Sequence, residues 1–204
     1  MVLAVAGGMI AILFTVTFNY YVSTVKAETA TQMALESQSL LTQLTEDIRL
    51  ADAITGTNLI DDPTNPGGWM TNDPSNIIIV QSPATDVNRD IIYDDTTGYP
   101  FSNEFIYFLN GNSMFKRVLA NSGASGNTAI TTCPAASATS TCPKDKLFSD
   151  KITNLTFTFF DINDAQTANA ASARSILFVV NMEKQVYDET ITLNNSTRIT
   201  LRNQ

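Results

Sequence analysis

The side chains of this sequence that could react or bind a metal are two cysteines and scattered carboxylates, and there is no histidine. Cys133 and Cys142 lie in the segment TTCPAASATSTCPKDK, where a proline follows each cysteine. Two cysteines cannot complete a four-ligand zinc site, and no histidine is present to help them. We therefore predict a disulfide between Cys133 and Cys142, which places this part of the chain in an oxidising compartment. The alternative is a pair of free thiols in a flexible loop.

The lack of histidine argues against most hydrolytic enzymes, because histidine is the usual general base for a serine or cysteine nucleophile. No spacing of lysines or carboxylates replaces it convincingly. We expect a protein that is not an enzyme and that has no catalytic residue, no metal and no cofactor. The chain has 20 acidic and 12 basic residues, a net charge of -8, and its basic residues are dispersed. Nucleic acid is therefore not an expected partner, because phosphate binding needs a concentrated cationic face.

One acidic segment resembles the start of a calcium-binding loop. Asp86, Asn88 and Asp90 place three oxygen-bearing side chains at alternate positions. The glycine that should follow is missing, and Thr97 stands where a bidentate glutamate is needed. We interpret this segment as a solvated loop rather than as a calcium site.

The N-terminal residues are predicted to form a long apolar helix. Residues 1–25 carry no charge, and the first charged residues are Lys26 and Glu28. About 20 helical residues span the hydrocarbon core of a bilayer, so this segment is long enough to cross one. Tyr20 and Tyr21 close the segment with the amphipathic rings that are common at a membrane interface. A plain single-pass anchor is the alternative interpretation of this segment alone.

The helix is predicted to continue without a break as an amphipathic segment over residues 26–55. Residues 26–54 contain no glycine or proline and are rich in good helix formers, and Gly56 is placed to end the helix. The side chains predicted to pack one face of this helix onto a sheet are Met33, Leu40, Leu44, Ile48 and Ala51. The second half of the helix therefore packs on a head domain, while the first half needs lipid or other copies of itself.

The head, residues 56–204, is predicted to be rich in β-structure. Apolar or alternating segments predict strands at 76–81, 91–93, 104–109, 113–119, 152–160, 175–182 and 197–201. Asn110 and Gly111 predict a hairpin between the third and the fourth of these. Residues 120–145 are poor in large apolar side chains and predict a surface loop that contains the cysteine pair. The predicted fold class is α+β, with the long helix packed on an antiparallel sheet.

Four segments carry a resemblance to a known family. MVLAVAGGMIAILFTV looks like the part of a class III prepilin signal that follows the glutamate, and QSLLTQLTEDIRLADAI looks like the end of the first helix of these proteins. ITNLTFTFFDIND is similar to their late strand and turn, and STRITLRNQ to their last strand. The whole chain thus resembles the type IV pilin and pseudopilin family, closest to W-type minor pilins and J-type pseudopilins.

The resemblance implies a structural subunit that assembles through its apolar helix. Such a subunit waits in the inner membrane with an extracytoplasmic head, and then enters an extracellular or periplasmic filament. Its partners are other pilin or pseudopilin subunits, the inner membrane before assembly, and the pilus assembly machinery. The residues expected in the filament core are Met1, Val2, Leu3, Val5, Gly7, Gly8, Ile10, Ile12, Leu13, Phe14, Val16 and Phe18.

The sequence departs from the family pattern at its start. The glycine and glutamate of the prepilin peptidase site are not present. We expect that the sequence begins inside this signal. The alternative is a subunit that lacks the glutamate, in which Val5 takes its place if Met1 is the processed N-terminus.

The leading hypothesis is a minor subunit that initiates or caps a type IV pilus or a type II secretion pseudopilus. A second hypothesis makes the chain the major repeating subunit of the filament. A third makes it a membrane-tethered extracytoplasmic binding or sensor protein that stays monomeric.

Overall fold

A computed structural model describes residues 2–71 and 76–201, with side chains from residue 7 onward. It confirms the predicted α+β class, because one long N-terminal helix packs on antiparallel sheets. Helix α1, Val2–Arg49, has 48 residues. At a rise of 1.5 Å per residue its length is about 72 Å.

The helix ends earlier than the sequence predicted. It stops at Arg49, and Ala53–Thr55 form strand β1 instead of a last helical turn. The backbone N–H of Asp52 donates to the carbonyl of Gln81, which starts the pairing of β1 with the next strand. Strand pairing therefore ends the helix, and Gly56 lies beyond it.

Five strands form the first antiparallel sheet, in the order β1-β2-β3-β4-β5. The other four strands of this sheet are β2, Ile77–Pro83; β3, Ser102–Asn110; β4, Ser113–Leu119; and β5, Lys146–Ser149. The predicted hairpin joins β3 to β4, with Asn110 paired to Ser113. Gly111 begins its two-residue loop with a φ of 58°, as a type II′ turn requires. The prediction of a strand over 91–93 was wrong, because Ile91 and Tyr93 make only isolated bridges.

A second sheet has the order β7-β6-β8-β9. Its strands are β6, Ile152–Phe160; β7, Gln166–Thr167; β8, Ser175–Val186; and β9, Glu189–Thr200. The sequence predicted one sheet, and the structure has two. They separate between β5 and β6, because β5 pairs with β4 whereas β6 pairs with β7 and β8.

The main core lies between helix α1 and both sheets. It joins Leu44 and Ile48 of the helix to Ile78 of the first sheet and Phe178 of the second. A smaller cluster lies on the other face of the first sheet, where Trp69 and its loop cover alternate residues of β2. Both faces of β2 are therefore buried, which explains its continuous apolar sequence.

Candidate functional site

The N-terminal half of helix α1 is exposed throughout its described side chains. Residues 7–21 carry no charge and are all exposed. The large side chains of this stretch are between 49% and 75% exposed to solvent. They are Met9, Ile10, Ile12, Leu13, Phe14, Val16, Phe18, Tyr20 and Tyr21. By length and composition the helix can cross a membrane. Soluble monomers rarely expose so large an apolar surface, and exposed patches of this kind are typical of segments that contact a membrane or another protein.

Most residues that the sequence assigned to a filament core lie on this surface. The exposed members are Gly7, Gly8, Ile10, Ile12, Leu13, Phe14, Val16 and Phe18. A methyl group added at either glycine would contact nothing within the described part of the chain. Four other members lie outside the described side chains: Val2, Leu3 and Val5, whose backbone belongs to the helix, and Met1.

The second half of the helix is packed on the head by the stripe that its periodicity predicted. Met33, Leu40, Leu44 and Ile48 have at most 1% of their surface exposed and belong to the main core. Ala51 is also buried in that core, but it lies after the helix end.

Polar contacts add to this packing. The Nζ of Lys151 donates to both carboxylate oxygens of Glu36, at 2.6 and 2.8 Å. The Nζ of Lys146 donates to the side-chain oxygen of Gln43 at 2.6 Å. The head is thus held on the helix through several segments.

A partly buried cluster of polar side chains joins the helix end to the first sheet. Asp47 of the helix accepts hydrogen bonds from the hydroxyl of Tyr107 and from the Nζ of Lys116, the latter at 2.6 Å. Burial raises the pKa of Tyr107 well above its ordinary value of 10.0, and the charge of Asp47 raises it further. Tyr107 therefore stays protonated and continues to donate to Asp47.

The apolar half meets the head first at the tip of the β8–β9 hairpin. The ring of Phe18 contacts the ring of Tyr187 edge to face, with centroids 6.4 Å apart. Lys26 forms an ion pair with Glu189. Val22 is the first partly buried residue of the helix, and Thr29 is the first residue that is buried. The change from an exposed to a packed helix therefore coincides with the first charge of the sequence.

A second feature of the head is a cleft with a volume of about 1000 Å³. Trp69, Phe108 and Phe115 form an aromatic wall of this cleft, in which Phe108 lies 4.7 Å from Trp69 and 5.6 Å from Phe115 between ring centroids. Lys144 and Lys146 also line it. Apolar walls with a few polar groups are typical of small-molecule sites.

A buried ion cluster supports the cleft. Arg117 is 3% exposed, and its guanidinium donates to Asp145 at 2.6 and 3.1 Å and to Asp62 at 2.7 Å. Burial alone would raise the pKa of Asp62, but hydrogen bonds from Trp69, Arg117 and Thr64 outweigh burial and lower the pKa below 3.8. Each of the three guanidinium nitrogens donates to a side chain of the protein itself, so the cluster fixes the loops around the cleft.

The two cysteines form the predicted pair, because Cys133 and Cys142 are joined by a disulfide. The acidic segment at Asp86 forms a turn that caps itself. One carboxylate oxygen of Asp86 accepts hydrogen bonds from the backbone N–H groups of Asn88 and Asp90, at 2.8 and 2.9 Å. Within residues 2–71 and 76–201, no group of three cysteine or acidic side chains is arranged to hold a metal ion.

Sequence reasoning missed the cleft and the cluster beneath it. Asp62, Trp69, Arg117 and Asp145 come from three separate segments, and no local motif connects them. The only local signal was the pair of basic residues Lys116 and Arg117 inside the strand SMFKRVL, and this signal is weak. A search of protein-family models and of curated proteins finds no match for this chain.

Proposed function

We propose that this chain is a non-enzymatic structural subunit of a type IV pilus or of a type II secretion pseudopilus, of the minor class that initiates or caps the filament. One observation carries the proposal. A single unbroken helix has an uncharged first half, whose described side chains at residues 7–21 are all exposed, and a second half packed firmly on a β-rich head. The resemblance of the N-terminal segment to a prepilin signal supports the same function.

The exposed half of the helix is stabilised by any surrounding that removes it from water, whether lipid or other helices. Full burial of one large apolar side chain stabilises by about 1.5–3 kcal/mol. For the nine large side chains exposed on residues 7–21 this amounts to on the order of 10 kcal/mol. Lipid and neighbouring helices are similarly apolar, so transfer from membrane to filament changes this free energy little. The energy to extract subunits must then come from the assembly machinery.

The packed half sets the geometry of assembly. Because the core stripe and the polar contacts fix the head on the helix, the head follows the helix as one rigid unit. Helices that pack together in a filament core would therefore arrange the heads around it. The disulfide and the inner membrane position proposed here agree with an extracytoplasmic head.

Replacement of the apolar segment tests the proposal. Among the described side chains of the apolar half, Phe18 is the first that contacts the head, so an unrelated transmembrane helix of the same length can replace residues 1–17 and leave that contact in place. In cells with a pilus assembly machinery, the replaced chain should stay in the membrane fraction and disappear from sheared filaments. Unchanged recovery in sheared filaments would contradict assembly through this helix.

A control variant separates assembly from general damage. Val87 is the most exposed large apolar side chain of the head, at 83%. Val87→Asp adds a charge to the surface and should leave filament recovery unchanged. Phe14→Asp adds the same charge to the helix and should abolish recovery.

The cleft favours a second candidate function, that of a membrane-tethered binding protein. Its aromatic wall fits a ligand with an apolar face, and Lys144 and Lys146 favour a ligand that is also anionic. Trp69 is the only tryptophan of the chain and lines the cleft, so its fluorescence reports occupancy directly. If the chain is such a binding protein, replacement of the apolar helix should leave ligand binding in the cleft unchanged. Two results together would favour the binding function over the filament function: a ligand that alters the emission of Trp69, and ligand binding that the helix replacement does not change.

A further inference from the structure

The β8–β9 hairpin extends past its own sheet. Strand β8 pairs with β6 only as far as Met182, whereas its pairing with β9 continues to Val186 and Glu189. The last part of the hairpin is therefore a two-stranded arm. Its two-residue loop, Tyr187 and Asp188, is the part of the head that reaches the exposed half of the helix.

Two contacts hold the tip against the helix. The ring of Tyr187 lies edge to face against the ring of Phe18. Glu189 pairs with Lys26, about two turns further along the helix. The tip is thus fixed at the level where the uncharged segment ends.

The backbone of Tyr187 is strained for its residue type. Its φ is 53°, in the left-handed region, and Asp188 has no positive φ. A two-residue hairpin loop with a positive φ at its first position favours glycine there, because a bulky side chain is costly in that conformation. A large aromatic residue at such a position is expected where the side chain itself has a function.

The surroundings indicate what that function is. Tyr187 is half-exposed, and with Tyr20 and Tyr21 it forms a group of exposed tyrosines around the helix. A helix that spans a bilayer with about 20 residues reaches the headgroup region near these tyrosines. Tyrosine is enriched at that level, because its ring is apolar and its hydroxyl can form hydrogen bonds with water and headgroups.

We propose that the hairpin tip around Tyr187 inserts into the headgroup region of a phospholipid bilayer and, with Tyr20 and Tyr21, sets the depth and tilt of the head on the membrane before assembly. The inference rests on the proposed function in one respect, that the helix spans a membrane. Glu189 is paired with Lys26, which leaves the negative charge of Asp188 at the tip, so the preferred surface is zwitterionic rather than anionic. The contact is aromatic and should persist at high salt.

Depth-dependent fluorescence quenching tests the inference on the full chain. The chain is reconstituted in phosphatidylcholine vesicles whose lipids carry bromine either near the headgroup or deep in the acyl chain. Tyr187→Trp adds a second tryptophan at the tip, Phe14→Trp adds one in the span, and Tyr99→Trp adds one in the exposed loop between β2 and β3. The emission of Trp69 in the parent chain is subtracted from each.

The added tryptophan at position 187 should be quenched by bromine near the headgroup. The one at position 14 should be quenched by bromine deep in the acyl chain, and the one at position 99 should be quenched by neither lipid. Emission at 187 that no lipid quenches, while position 14 is quenched, would overturn the inference and leave the proposed function standing. Emission at 14 that no lipid quenches would overturn both, because the helix would not be inserted.

Tyr187→Gly gives a second readout that a merely structural tyrosine would not produce. Glycine relieves the backbone strain, which offsets the lost ring contact with Phe18, so the variant should melt near the parent temperature in detergent. In vesicles the variant should lose part of the stabilisation that the parent gains from lipid. Equal destabilisation in detergent and in vesicles would contradict a lipid contact.

Discussion

In the described head, the buried guanidinium of Arg117 lies between the carboxylates of Asp62 and Asp145 and is the only cation that pairs with them. Arg117→Met keeps an unbranched apolar side chain of similar reach, but it removes the hydrogen bonds to Asp62 and Asp145. Both carboxylates remain almost fully buried. The variant therefore contains two neighbouring negative charges without a partner.

The expected loss is large. Removal of one partner from a buried ion pair costs about 3–5 kcal/mol, because the charge left behind is desolvated and uncompensated. We expect the free energy of unfolding near neutral pH to fall by that amount. Urea unfolding in detergent, followed by far-ultraviolet circular dichroism, measures it without relying on Trp69 as a reporter.

The loss should depend on pH in a defined direction. In the parent, the pKa of Asp62 is lowered, so its contribution is fully present above the ordinary value of 3.8 and is lost as pH falls through the lowered pKa. In the variant, burial without the cation should raise that pKa, so acid protonates the carboxylate and relieves the repulsion. The difference in stability between parent and variant should therefore shrink as pH falls from neutral toward the ordinary value of 3.8.

Two further variants make the reasoning refutable. Arg117→Met combined with Asp62→Asn and Asp145→Asn should recover most of the stability, because no buried charge remains. Arg89→Met removes an exposed arginine and should change stability by less than about 0.5 kcal/mol. A loss below about 1 kcal/mol for Arg117→Met, or a loss that does not change with pH, would refute the account.

The remaining predictions concern packing, the disulfide and a tyrosine. Leu44→Ala should cost about 2–5 kcal/mol, whereas Leu35→Ala, on the exposed face of the same helix, should cost little in urea unfolding. Serine at both Cys133 and Cys142 should lower the free energy of unfolding by about 2.7 kcal/mol, and reduction of the parent should match it. Because the folded pKa of Tyr107 is raised, the stability that it contributes is present below 10.0 and lost as pH rises above that value. Tyr107→Phe should abolish this alkaline loss in a pH series of unfolding curves.

Local patterns predicted much of the fold. The stripe from Met33 to Ile48 follows from helical periodicity, and the β3–β4 hairpin follows from Asn110 and Gly111. Ser37 belongs to the same buried stripe, but the hydrophobic pattern did not include it because serine is polar. Its hydroxyl accepts a hydrogen bond from Asn195, which is 158 residues away in the sequence. Only the folded chain brings that partner close.

The errors came from long-range pairing. Residues Ala53–Thr55 read as helix by local propensity, but they gain backbone hydrogen bonds by pairing with β2. The division into two sheets depends on which strands are neighbours, and strand segments in a sequence do not encode this. The cluster around Arg117 was invisible for the same reason, because its members meet only in the folded head.

The exposed half of the helix is the part of the candidate site that sequence predicted best. A charge-free segment needs no distant partner to be recognised, since hydrophobicity is a property of each residue. Whether lipid, another helix or the head covers such a segment is a tertiary question. The structure shows that the described head leaves residues 7–21 exposed, while the identity of the covering partner is the central proposal made for this chain.

Photo-crosslinking from the exposed helix tests that proposal most directly. A photoreactive amino acid replaces Ile10, which is exposed, or Leu44, which is fully buried in the chain's own core, in cells with and without a pilus assembly machinery. The account predicts that position 10 crosslinks to other subunits in sheared filaments only when the machinery is present, whereas position 44 crosslinks within its own chain. A chain that stays in the membrane, never enters sheared filaments and forms no crosslink to another subunit from position 10 would contradict it.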